Sequence, residues 1–310
     1  MGPNGLRAGW RFLMFLALNA VFVYVVRILR YGAHPPSLRP VGAISPGRIM
    51  VGKALAFLVM SAAALVMTRV DKAHWSDYGL ALRRAFRREF WFGVLWGIAG
   101  LSGVMACLRL GRFYAIDGLA IHGSDILRDA ALWAAAMLLV GLGEEFLFRG
   151  YALYTLASGM GFWPAALFTS SLFTLVHMGN GGENWLGLTD VFLFALFSCA
   201  TLWRTGNLWF AVGMHAAWDW GLTFIYSSPN SGMTALGQLF NVRFSGPAWL
   251  TGGSAGPEGS AINLVFDLIY FAVFLAIFRN RKFVGLNERR SATANRMSPS
   301  PVVDSSALRG

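Results

Sequence analysis

The stretch Ala130-Ala-Leu-Trp-Ala-Ala-Ala-Met-Leu-Leu-Val-Gly-Leu-Gly-Glu144-Glu145-Phe-Leu-Phe-Arg149-Gly150 decides how this chain folds. An uncharged apolar run from Ala130 to Val140 leads straight into two adjacent carboxylates. One carboxylate at bilayer depth costs at least ~2.5 kcal/mol on insertion scales, and two cost more. Crossing a membrane does not require such residues. They serve as paired structural charges, as chemistry or as part of a transport path.

The rest of the composition agrees with a membrane setting. Of 310 residues, 56% are hydrophobic and only 13% charged, with a mean hydropathy of +0.53. That is the profile of a polytopic membrane protein rather than a soluble domain. The net charge of +11 raises the question of nucleic acid. The basic residues, however, lie between and after apolar runs, where Lys and Arg orient membrane helices. No basic stripe interleaved with aromatics forms a nucleic-acid groove, so no nucleic-acid partner is expected. Cys107 and Cys199 each lie inside an apolar run and read as small buried residues, not as a disulfide or zinc framework. The basic start, Met1 to Arg11, reads as the approach to a retained first span, because no small-x-small cleavage site follows Val26.

A span needs about 20 mostly apolar residues. The sequence predicts an all-α, polytopic helical bundle with about eight transmembrane helices, near 11–28, 49–68, 90–108, 129–148, 161–178, 186–204, 207–226 and 261–279. A short helix near 149–158 should link the fourth and fifth, and Pro164 suits the first turn of the fifth. Gly93-x-x-x-Gly97 should let the third helix pack closely on a neighbour. The chain divides into N-terminal spans and basic loops (1–128), a core (129–226), an outer-side loop and last span (227–279) and a disordered cytoplasmic tail (280–310). Segment 27–48 resists this topology: it carries four arginines and falls on the outer side.

Few ionisable residues lie within the predicted spans. Lys53 and Asp190 sit near span ends and can extend to the interface, and Asp267 can pair with another helix. The others concentrate in three segments. Glu145 and Arg149 are i,i+4 neighbours and can pair on one face, while Glu144 lies about 100° around the helix and is free for a different partner. Phe173 and His177 are also i,i+4, so the ring shields the imidazole from lipid, and a Gly-rich loop follows. His215 and Asp219 repeat the spacing, and Asp219 can fix the tautomer of the ring. Taken singly, each segment reads equally as a buried ion network or a packed histidine. Together, a carboxylate and two histidines on three helices converge only in a bundle interior. Such a set can activate water and stabilise an oxyanion, and Glu144, His177 and His215 can equally ligate a divalent metal such as zinc.

In this order the three segments resemble the family of intramembrane proteases that includes type II CAAX prenyl endopeptidases and bacteriocin-processing enzymes (CPBP or Abi). The shared pattern reads here as Glu144-Glu145-x-x-x-Arg149, Phe173-x-x-x-His177 and His215-x-x-x-Asp219, within residues 129–226. The resemblance implies a membrane endopeptidase in which Glu144 and His177 activate the attacking water. His215 and the residue at 219 would stabilise the oxyanion, and Glu145, Arg149 and Phe173 would hold the architecture. Family members have been called metalloproteases, although a metal-free Glu/His mechanism fits the same residues. Where the best-understood members have Asn, this chain has Asp219, and an ionised Asp cannot donate to an oxyanion. The expected partners are a peptide or membrane-protein substrate and the lipid bilayer, and the expected location is a bacterial inner membrane. The alternative is a non-enzymatic immunity or scaffold protein that binds a peptide or partner in the same cavity.

Overall fold

The computed structural model describes residues 6–32 and 43–288. It is a helical bundle, with each expected apolar run forming a helix. These are α1 (Ala8–Tyr31), α2 (Pro46–Asp71), α3 (Arg88–Leu110), α4 (Ser124–Glu145), α5 (Leu153–Met160), α6 (Phe162–His177), α7 (Trp185–Thr205) and α8 (Trp209–Trp220). A single turn, α9 (Ala248–Thr251), precedes the last long helix, α10 (Ala261–Ile277). Five stretches among the described residues are long and apolar enough to cross a membrane: α1, α2, α3, α7 and the continuous Ser124–Met160. α6, α8 and α10 are shorter apolar helices packed among them.

Local chemistry sets the ends. Pro46 occupies the first turn of α2, where its missing N–H is not needed, and Lys72 closes that helix in the left-handed conformation. Asn184 caps α7 by accepting from the Gly187 N–H at 3.0 Å, and Ser260 caps α10 through Asn263 at 3.1 Å. The short helix expected near 149–158 is α5, joined to the end of α4 without a loop. Residues Phe146–Ala152 wind as a wider π-type turn, broken at Gly150 (φ −80°, ψ −106°), before α5 resumes. The kink falls directly after the two glutamates.

The glycine pair of α3 packs against α8 as its spacing implies. A Cβ at Gly93 would strike the Phe210 carbonyl and one at Gly97 the Met214 carbonyl, so only hydrogen fits between these backbones. At the other side of the bundle, Arg11 of α1 is buried against Asp71 of α2 at 2.7 Å and reaches Ser158 of α5 at 2.6 Å. Tyr78 donates to the second Asp71 oxygen at 2.6 Å, and burial followed by that carboxylate pushes its phenol well above the usual range.

Two expectations change outside the helices. Residues 227–259 do not form a plain loop. β2 (Phe240–Phe244) pairs antiparallel with β1 (Tyr114–Leu119), from Tyr114 opposite Phe244 to Leu119 opposite Phe240, with an irregularity between Ile116 and Gly118. The segment is also fastened by Trp133 Nε1 to the Leu236 carbonyl at 3.0 Å and by Asn184 to the carbonyls of Gly252 and Gly259. The tail is packed where it starts: Phe283 stacks on Trp203, and Phe283 and Leu286 are buried. The rest of the tail, from residue 289, lies outside the described residues, as do residues 33–42 of the arginine-bearing 27–48 segment. Cys199 is buried as expected, but Cys107 is exposed on the bundle's outer side.

Candidate active site

α4 delivers the two glutamates to the bundle interior, α6 brings His177 and α8 brings His215 and Asp219. Glu144, His177, His215 and Asp219 line one cavity of about 260 Å³, together with residues from α2, α7 and α10 and from the segment after α8. The lining is most exposed at Val176 of α6 and at Met233, with Lys53 of α2 half-buried nearby. The most exposed lining residues thus belong to α6 and to the segment after α8.

The i,i+4 pairs form as the spacing predicts. Arg149 Nη1 lies 3.6 Å from Glu145 Oε1, with both side chains fully buried. The Arg149 guanidinium sits 4.3 Å over the Phe173 ring, and the Phe173 and His177 rings are 4.3 Å apart. Phe173 thus fills the space between the ion pair and the histidine. His177 Nδ1 is 2.8 Å from the Phe173 carbonyl, so this nitrogen carries the proton and donates it, leaving the lone pair on Nε2.

Three partnerships differ from the sequence expectation. Glu145 is not reserved for Arg149: its Oε1 also accepts from His215 Nδ1 at 2.9 Å. Glu145 therefore fixes the His215 tautomer, the role expected of Asp219. Asp219 Oδ2 stands on the opposite ring edge, 3.5 Å from Nε2, because a residue one turn along α8 reaches the outer nitrogen. Glu144 finds its nearest partner on α2, where Lys53 Nζ donates to Oε1 at 2.6 Å, while Oε2 lies 3.8 Å from His215 Nε2. Lys53 turns inward to a carboxylate instead of extending to the interface. His177 lines the same cavity as Glu144 without a direct hydrogen bond to it.

Asp190 likewise points inward. It is 5% exposed, accepts from Asn263 of α10 at 2.6 Å and interacts with Asp267, which supplies the interhelical partner expected for Asp267. Glu258, a residue the sequence did not single out, accepts from Trp218 Nε1 at 3.0 Å and from the Ser231 N–H at 2.9 Å. It ties the segment after α8 back onto that helix. Burial raises the Glu258 carboxyl, and the two donors pull it the other way. Nearby Glu183, in the loop before α7, is pushed up to about 7 by burial and then by Glu258. Trp220 packs and donates to the Ala130 carbonyl at 3.0 Å.

The fit of a metal ion can be judged from the donors. Lys53 occupies one oxygen of Glu144, whereas both histidines hydrogen-bond through Nδ1, the usual outer contact of a ligating imidazole, so it is the ammonium that opposes an ion. Among the described residues no three His, Cys, Asp or Glu side chains are placed to hold one ion. An ammonium on the central carboxylate competes with a cation for the same site.

Comparison with known proteins gives the site a family. Uncharacterized protein YyaK of Bacillus subtilis (strain 168) is 26% identical over 210 residues, which cover 62% of this chain and 68% of that protein. An uncharacterized 24.3 kDa protein of Escherichia coli is 30% identical over 131 residues, covering 38% of this chain and 59% of that protein. No solved structure matches. Residues 126–221, which hold both glutamates, Arg149, Phe173, both histidines and Asp219, match the family described as type II CAAX prenyl endopeptidase Rce1-like. Over that segment, this multi-pass membrane protein is similar to the Rce1-like CAAX protease family.

Proposed function

We propose that the protein is an integral membrane endopeptidase that hydrolyses a peptide bond near the membrane surface with water activated by Glu144 and His177. The observation that carries this reading is the convergence of Glu144, His177, His215 and Asp219 on one cavity from three helices. Glu144 Oε1 is committed to Lys53, which leaves Oε2, without a hydrogen bond among the described residues, as the oxygen that takes the proton from water. His177 offers Nε2 to the same water, held by the Phe173 carbonyl behind it. The water oxygen bonds to the scissile carbonyl carbon. His215, held by Glu145, presents Nε2 to the oxyanion, and donation from it requires a second proton on the ring, which Asp219 is placed to exchange. Collapse breaks the C–N bond as the proton on Glu144 passes to the leaving nitrogen.

Purified protein in detergent, assayed for peptide hydrolysis, tests the reading. Glu144→Gln and His177→Ala should each lower turnover by roughly 100-fold or more, the scale of a lost general base. Equal cleavage by both variants and the wild type would remove the mechanism. The donor geometry also leads to the expectation that a chelator leaves activity unchanged. Loss of activity on chelation, restored by zinc, would reverse that.

One observation favours a second reading. Lys53 sits on Glu144 as a counter-ion, which suits a cavity that binds a peptide or partner without cleaving it. In that case the Glu144 and His177 variants change the melting temperature and no hydrolysis is detected with any form. The membrane in either reading is the inner membrane of a bacterium, in keeping with the bacterial relatives.

A further inference from the structure

A second cavity lies on the outside of the bundle, between α1 and α2, remote from the residues assigned to catalysis. It is an open groove of about 210 Å³. Val23 of α1 and Leu55 and Val59 of α2 form its walls, Gly52 lies at its base, and Arg27 and Arg30 stand at one end. Gly52 is informative by contrast with Gly93 and Gly97. Those two have backbone pressed against them, whereas a Cβ at Gly52 would meet nothing within 4 Å. The small residue is therefore not needed to bring two helices together, and the space beside it is free for a ligand.

The placement of charge says what kind. α1 has 24 residues, which gives a length of about 36 Å, more than the ~30 Å hydrocarbon core. Its last turns, with Arg27 and Arg30, reach headgroup level, while the aliphatic walls extend toward the bilayer centre. Arg27 is exposed, and no carboxylate pairs with it among the described residues. An apolar trough with two guanidinium groups at its mouth complements an amphiphile with a hydrocarbon chain and an anionic head. The bilayer around α1 and α2 supplies that chemistry.

We propose that the α1–α2 groove binds an anionic phospholipid, with one acyl chain along Val23, Leu55 and Val59 and the headgroup phosphate on Arg27 and Arg30. Arg27 and Arg30, two of the arginines that conflict with a simple inside-positive topology, then have a ligand rather than a topological role.

Native mass spectrometry of the full chain in neutral detergent, titrated with phosphatidylglycerol or phosphatidylcholine, tests this. The wild type should retain phosphatidylglycerol roughly 10-fold more tightly than phosphatidylcholine. The double variant Arg27→Gln/Arg30→Gln should lose that preference. Gly52→Leu, whose side chain enters open space, should weaken retention of both lipids while its melting temperature in lipid-free detergent stays at the wild-type value. Glycerol phosphate at matching concentration should not displace the lipid. Equal retention of the two lipids by the wild type, an unchanged preference in the arginine variant, or wild-type retention by Gly52→Leu would each overturn the site. Displacement by glycerol phosphate would replace the lipid with a free phosphate ligand.

Discussion

Glu145 serves Arg149 and His215 through one oxygen, to which Ser198 also donates. Arg149 needs a counter-charge inside a fully buried pocket, and His215 needs an acceptor that keeps the proton on Nδ1. Glu145→Gln removes the charge and lets an amide N–H face the ring, so both functions fail together. The expected outcome is a loss of stability of about 3 kcal/mol, from leaving Arg149 uncompensated, with a fall in turnover of roughly 100-fold or more from the wrong tautomer. A denaturation curve and a hydrolysis assay on the same preparation check the pair, and a variant that melts lower yet cleaves normally would separate the two roles. The Glu145–Arg149 and Phe173–His177 pairs were legible in the sequence because a helix brings i and i+4 together whatever the fold does. The Lys53–Glu144 pair was not. Its members are 91 residues apart and meet only because α2 packs on α4. The tautomer-setting partner of His215 was missed for the same reason: sequence proximity favoured Asp219, whereas a residue 70 positions away holds the nitrogen.

At the scale of elements, α3 and α8 form the closest helix pair, and glycines on both sides make it so. Gly213 of α8 meets the Phe90 carbonyl as Gly93 and Gly97 of α3 meet the carbonyls of Phe210 and Met214. Because α8 carries His215 and Asp219, this seam sets where they stand. Gly97→Val forces the backbones apart and should cost about 1–3 kcal/mol, read as a lower melting temperature in detergent. No change would mean the helices separate without penalty. Apolar runs of span length made the long helices readable, and the small-x-x-x-small spacing marked one of their contacts. The β1–β2 pair was not readable. Its strands have six and five residues and are separated by five helices, α4 to α8, and although Phe240-Asn-Val-Arg-Phe244 alternates, Tyr114-Ala-Ile-Asp-Gly-Leu119 does not. The short helix α5 was legible, but its π-type joint to α4 was not, since apolar periodicity does not distinguish such a turn from a helix start.

The stability of the whole molecule depends on pH through a carboxyl in the loop before α7. Glu183 holds its proton up to about 7 in the fold, against an ordinary value of 4.5. A carboxyl whose folded value is raised binds more protons folded than unfolded. Its contribution is therefore favourable at low pH and is lost as pH rises from about 4.5 through about 7. The melting temperature should fall between pH 5 and pH 8, and Glu183→Gln should flatten that fall. Parallel slopes for the two proteins would show that other groups govern it.

The segment after α8 is held at β1, at Leu236, at Gly252 and Gly259 and at Glu258, so it closes one end of the cavity as a fixed cover. The most exposed lining residues lie on α6 and on that segment itself. Under the proposed endopeptidase reading, a polypeptide that reaches this cavity must expose a backbone carbonyl to Glu144. A residue in the middle of an intact helix has its carbonyl already engaged four residues on. Selection then falls on where a chain frays as it leaves the bilayer. A cleavage map of unrelated membrane proteins would align by depth from the headgroups before it aligned by amino-acid type.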